Sequence, residues 1–383
     1  FLKSYNESQT CLNLHFRKYK ANQISKRDIL ELTSVLLNFK DLTTLILNLE
    51  NQHLLNEKDL FKDLENLPKI QSLKFKLYGN IIGNFGITNL SHAFANNVVQ
   101  ELYLDLKYNN IKTKGIEALC NALEKCQNLQ KLFLNLSYNK VQKNDTLNLG
   151  FALSKCLKLQ KLKLNFIACS IRAQGVLDLC SRLENCQDLK YFGLKLWHNN
   201  IRNESLLNLG ICLKKYSNLS YLSLDFQFNN IDDLGVSSFY STISDYQNIS
   251  ILYLNFANNI ITKKGVSLLI SMMSQITKFQ SLTIQLNDNI FLEGDFQMIN
   301  QLSVNNKNTL ALKLKINGHR YIPIIDAMHL VFLLSYCQNI SSLDLGLGYE
   351  SEKDQRVTNE LKRKILKMKR LVNKSVRLCG QYL

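Results

Sequence analysis

The side chains best suited to recognising something are Tyr103, Phe133, Tyr191, Tyr221, Tyr253 and Trp197, the only tryptophan, with Lys163 and Lys195 among them. Tyr103 and Phe133 occupy equivalent places in successive stretches of the chain, as do Tyr191 and Tyr221. On neighbouring strands, about 4.8 Å apart, the rings of such pairs can stack. Tyr and Trp on a rigid, wet face bury much area at little conformational cost, which is how protein interfaces are anchored. The two lysines would pair with carboxylates of a partner. The alternative is that the outward rings only pack on one another and support strand pairing.

Chemistry of other kinds finds no support. The sequence has no phosphate-binding G-x-x-x-x-G-K-[ST] loop, no H-E-x-x-H helix and no G-x-S-x-G elbow. Its six histidines (His15, His53, His92, His198, His319 and His329) are scattered, and only His198 neighbours the aromatic set. Cys126, Cys156, Cys186 and Cys337 each lie three residues before a strand anchor, in a column held elsewhere by Tyr216, Tyr246 and Ile276. A place that accepts Cys, Tyr or Ile is an apolar core site. No C-x-x-C pair has metal spacing, so no metal or other cofactor is expected, and the cysteines read as reduced thiols of a cytoplasmic protein. The expected class is non-enzymatic. No apolar run approaches the length of a membrane span. The chain starts at Phe1 rather than methionine, which is expected of a piece of a longer protein with an upstream region.

The elements that would position these residues are written as a repeat. LQKLFLNLSYNKV at Leu129 returns as LQKLKLNFIACSI at Leu159, LKYFGLKLWHNNI at Leu189 and LSYLSLDFQFNNI at Leu219. The second apolar anchor recurs at Leu12, Leu45, Leu73, Leu102, Leu132, Leu162, Phe192, Leu222, Leu252, Leu282, Leu312 and Leu343. A period near thirty residues along the chain marks a solenoid of about twelve units, each burying its apolar face against its neighbours. Leu132, Leu134 and Leu136 alternate with Phe133, Asn135 and Ser137, the period of a strand with one buried face. Downstream, Gly115 precedes Ile116, Leu119, Cys120 and Leu123, and Gly175 precedes Val176, Leu179, Cys180 and Leu183, at helical spacing. Between strand and helix stands an Asn column: Asn80, Asn109, Asn139, Asn199, Asn229, Asn259 and Asn289. Its amides can satisfy backbone groups freed by the turn, and losing one costs roughly 1–3 kcal/mol per stranded group.

The pattern L-x-x-L-x-L…N-x-I, carried by Leu129, Leu132, Leu134, Asn139 and Val141, resembles the leucine-rich repeat family, specifically its long, helix-containing, ribonuclease-inhibitor-like subtype. That resemblance implies an α/β horseshoe: a right-handed coil with a parallel sheet on the concave side and helices on the convex side. A third strand residue, at Leu136, Phe166, Leu196, Phe226 and Phe256, suggests strands one residue pair longer than the family norm. The Asn column breaks at Cys169, where a thiol can still donate weakly. The helix frame is poor between Leu282 and Leu312, and Pro323 restricts the start of a later helix. The expected organisation is a solenoid over 1–350 and a basic capping helix or tail over 351–383, where Leu361, Ile365, Leu366 and Met368 would cover the open end.

The formal net charge is +16, and the segment 351–383 carries ten basic residues against three acids, including Lys362, Arg363, Lys364, Lys367, Lys369 and Arg370. The sheet face is only dilutely basic, led by lysine rather than by an arginine track that would follow phosphates. These observations point to a scaffold that binds a protein partner through the sheet face. Two alternatives stand beside it: a sensing region of a larger enzyme or a small-GTPase regulator, or a subunit of a large assembly that touches RNA through the basic tail.

Overall fold

The computed structural model describes residues 8–16, 24–67, 69–95, 98–243, 248–262, 264–269, 279–290, 310–316, 340–347 and 373–378, with 359 and 363. The chain divides into two compact units, Phe1–Lys195 and Leu196–Leu383.

In the first unit, seven short strands pair in parallel, each with the next in sequence. They are β1 (Cys11–His15), β2 (Thr44–Asn48), β3 (Ser72–Lys76), β4 (Glu101–Asp105), β5 (Lys131–Asn135), β6 (Lys161–Asn165) and β7 (Tyr191–Lys195). Anchors sit opposite anchors, Leu102 against Leu132, Leu132 against Leu162 and Leu162 against Phe192. Helices α1 (Lys26–Leu36), α2 (Gly83–His92), α3 (Thr113–Leu123), α4 (Lys143–Ser154) and α5 (Arg172–Arg182) follow strands. The second unit carries α6 (Glu204–Leu213), β8 (Tyr221–Asp225), α7 (Asp233–Ile243), β9 (Ile251–Asn255), β10 (Ser281–Gln285), β11 (Leu310–Ile316), β12 (Ile340–Leu347) and β13 (Asn373–Leu378). Its strands also pair in parallel, in order from β8 to β13. Each unit is therefore a leucine-rich-repeat solenoid of stacked strand-and-helix turns.

The inner strand positions build the core: Leu132, Leu134, Leu162, Leu164, Phe192 and Leu194 are all buried. Helices cover them with the frame the sequence predicts, Ile116, Leu119 and Leu123 from α3 and Val176 and Leu179 from α5. The cysteine column is in this core too, with Cys126, Cys156, Cys186 and Tyr216 all buried; Tyr246, Ile276 and Cys337 lie outside the described residues. No helix among the described residues is long and apolar enough to cross a membrane.

Strand length differs from expectation. The strands from β1 to β10 span five residues and stop one short of the third apolar position. Leu136 and Phe166 still extend the ladder by one bond, their N–H groups donating to Asn165 O and Lys195 O at 2.9 Å. The chain then turns, because Asn135 Oδ1 accepts the Ser137 N–H at 3.1 Å and Tyr138 adopts a left-handed φ of 56°. Asp105, Asp225 and Asn255 make the same local bond to the N–H two residues on.

The Asn column behaves as its chemistry suggests. Asn229 Oδ1 accepts from Asn199 N at 3.0 Å and Ile201 N at 3.2 Å, and Asn229 Nδ2 donates to Leu196 O, Phe226 O and Gln227 O. Asn139 and Asn259 do likewise. At Cys169 the thiol donates to Leu136 O at 3.2 Å. A further side-chain ladder joins the helix starts: Asn84 Oδ1 accepts from Lys112 N at 2.9 Å and Asn203 Oδ1 from Asp232 N at 3.1 Å. The glycines that open the helix frame make room for it, since a Cβ on Gly115 would stand 2.9 Å from Asn84 Oδ1 and one on Gly235 2.5 Å from Asn203 Oδ1.

The C-terminal segment corrects one expectation. Residues 359 and 363 are helical, but Asn373–Leu378 is a strand, β13, parallel to β12 with Leu343 opposite Lys374 and Leu345 opposite Val376. A charged residue holds the register position that Leu or Phe holds in every earlier strand, so the repeat is hidden there. Residues 291–309, Pro323, Leu361, Ile365, Leu366, Met368, and Lys362, Lys364, Lys367, Lys369 and Arg370 of the basic tail lie outside the described residues; Arg363 is exposed.

Candidate functional site

Alternation along each strand sends every second side chain to the face opposite the core. In the first unit that face presents Lys74, Tyr103, Phe133, Lys163 and Gly193 in one row across β3 to β7, each opposite the next. Tyr103 and Phe133 stack with ring centroids 4.1 Å apart and planes 9° from parallel. Lys74 Nζ lies 4.4 Å from the Tyr103 centroid, and Lys163 Nζ lies 5.3 Å from that of Phe133. The row is thus a stack of two rings with an ammonium on each outer face, an arrangement favoured by the ring quadrupoles. Beside it, Lys161 Nζ sits 4.6 Å from the Tyr191 centroid.

Lys74, Tyr103, Phe133, Lys161, Lys163 and Tyr191 line an open groove of about 700 Å³, together with Glu101, Asp105, Lys131, Asn135 and Asn165. Lys131 bridges to Glu101 at 2.6 Å on the exposed rim, a geometry that contributes little to stability. Burial raises the carboxyl pKa of Asp105 against the opposing pull of the Lys107 N–H, and Asn135 Nδ2 donates to it at 2.9 Å. Burial lowers the pKa of Lys163, and the like charges of Lys195 and Lys161 lower it further. Tyr103 is pushed up to about 12, chiefly by burial and then by Asp105.

Tyr103, Phe133, Lys163 and Tyr191 are brought together in this groove. Lys195 is half-buried at the end of β7 and close enough to Lys163 to depress it. Trp197, Tyr221 and Tyr253 belong to the second unit. There Tyr253 is half-buried on β9 with its hydroxyl pKa pushed up to about 12, chiefly by burial. Trp197 packs at 6.2 Å from the exposed ring of Phe228, and its buried Nε1–H has no partner among the described residues. His198 is exposed, in a left-handed turn.

Two features escape a reading of strand alternation. Gly193 takes the row position held on β3 to β6 by Lys, Tyr or Phe, and a Cβ there would meet Lys163 Cγ and Tyr191 Cε1 at 3.3 Å each. Its presence in LKYFGLKL was the available signal. The second is a strip of rings just past the strand ends: Tyr108 stacks on Tyr138 at 4.2 Å and approaches Tyr78 at 6.0 Å, with Lys107 Nζ 5.1–5.3 Å from all three. The tyrosine recurring directly before the column Asn at 108 and 138 signals it.

The lining of the groove holds no His or Cys; Glu101 is paired with Lys131 and Asp105 is held by hydrogen bonds. Among the described residues no cluster of His, Cys, Asp and Glu could hold a metal ion.

Residues 102–120 and 220–239 each match the family model of the leucine-rich repeat. The matches identify the repeat without selecting the ribonuclease-inhibitor-like subtype. No curated protein matches the sequence. Among solved structures, an internalin from Listeria monocytogenes is similar at 18% identity over 88% of this chain and 87% of its own, with a TM-score of 0.40. Actin-binding site 2 of leiomodin-1 is similar at 15% identity over 50% of this chain and 89% of its own, with a TM-score of 0.29.

Proposed function

Since this chain is a leucine-rich-repeat protein, we propose that it is a non-catalytic scaffold that binds a protein partner through the open face of its sheet. The observation that carries this reading is the groove over β3 to β7, where half-buried aromatic rings and lysine ammoniums line a face left open by the chain's own helices. Rings held rigid by their neighbours anchor a partner at low entropic cost, and lysines at their edges add charge recognition. With this reading goes a reducing, cytoplasmic setting, in which the thiols of Cys126, Cys156 and Cys186 serve as apolar core side chains.

The test is crosslinking in native lysate, with wild type compared to a Phe133→Ala/Tyr191→Ala variant, with and without nuclease. One protein whose crosslinks disappear in the variant and survive nuclease is the expected result. Crosslinks that persist in the variant and map beyond Ser351 would move the working surface to the basic tail.

A further inference from the structure

We propose that the partner presents an acidic peptide segment to the β5–β7 end of the groove, with its carboxylates seated among Lys161, Lys163 and Lys195 and its aliphatic stems against Phe133 and Tyr191. This deepens, and rests on, the protein-binding reading of the same face. β6 reads KLKLN and β7 YFGLK, so neither strand carries an acid. Among the described residues these three lysines form no ion pair, whereas Lys131 next to them is engaged by Glu101. Gly193 lets Lys163 and Tyr191 close over β7, and any side chain at that position would press on both and shift them. The result is an open face on which Lys161 and Lys163 stand beside the rings of Tyr191 and Phe133, with Lys195 at the end of β7. Burial and two like charges already penalise the Lys163 ammonium, so an incoming anion relieves a cost present in the unbound protein.

A nucleic acid fits the same lysines less well. Base stacking needs a free ring face, but Tyr103 and Phe133 cover each other on one side and Lys74 and Lys163 cover the other sides. A polyanion following the sheet would also meet Glu101 and Asp105 on β4. A short acidic segment confined to β5–β7 meets neither obstacle.

The test selects peptides from a random displayed library on the whole chain and measures their binding to wild type, Lys161→Gln/Lys163→Gln and Gly193→Val. Unchanged thermal unfolding of the lysine variant guards against misfolding, and it decides the matter if Gly193→Val fails to fold. Selected peptides should be enriched in Asp and Glu, and their affinity should fall roughly tenfold in the variants, as for loss of a charged contact. Acid-poor peptides that bind through Phe133 and ignore the lysines would overturn the acidic partner and leave the scaffold reading intact. Peptides indifferent to both the lysines and Phe133 would overturn both. An oligouridine probe that binds with the same lysine dependence would overturn the proposal in favour of RNA.

Discussion

Tyr103 and Phe133, on adjacent strands and exactly one repeat apart in register, stack at 4.1 Å with their planes 9° apart, and lysines from the two flanking strands close the stack. The contact is a direct product of the repeat, since parallel pairing in register puts equivalent side chains side by side. A double-mutant cycle of Tyr103→Ala and Phe133→Ala, read by denaturant unfolding, should give a coupling of about 0.5–1.5 kcal/mol. Additive losses would mean the rings are neighbours without being partners.

Asn229 is the clearest test of the Asn column. Asn229→Ala removes two acceptor and three donor contacts in one step, and the stranded groups are buried. The expected loss is at least about 2 kcal/mol, measured as a fall in urea midpoint without a change in slope.

Cys169 offers the converse. Its thiol donates to Leu136 O, but it lacks the amide oxygen with which Asn139 accepts the N–H groups of Asn109 and Ile111. Cys169→Asn should therefore stabilise the chain by about 0.5–1.5 kcal/mol. A destabilised variant would show that the surrounding repeat has adapted to the smaller side chain.

The raised pKa of Tyr103 links stability to alkaline pH. The phenol ionises near 10.0 when unfolded and near 12 when folded. Between these values the unfolded chain binds fewer protons than the folded one, so stability falls as pH rises through the window and levels off above it. Tyr103→Phe keeps the stacked ring and should flatten the decline measured by unfolding at pH 9 and pH 11.

The thiols should separate by burial. Of the eight described cysteines only Cys11 is exposed, and burial pushes Cys120 and Cys169 up to about 12. An alkylating reagent at neutral pH should label Cys11 in the native protein and the other seven only after denaturation, as read by peptide mass mapping.

The sequence by itself determined the repeat, the strand and helix frames, the core columns and the role of the Asn column. A period near thirty means that each residue's chief neighbours are its own equivalents one turn away, so contacts can be read from spacing. Even the Tyr103–Phe133 stack was legible in this way. What only the tertiary structure decided is whatever depends on backbone sign, on rotamer or on a broken pattern. The left-handed turn residues place Tyr108 and Tyr138 in a second aromatic strip, since φ is not written in hydrophobic periodicity. Rotamers carry Lys74 and Lys163 over the rings, and the missing side chain of Gly193 lets Lys163 and Tyr191 pack closely over β7. β13 was invisible because Lys374 occupies the register position where the repeat announces itself with Leu or Phe, and only pairing with β12 reveals it as a strand.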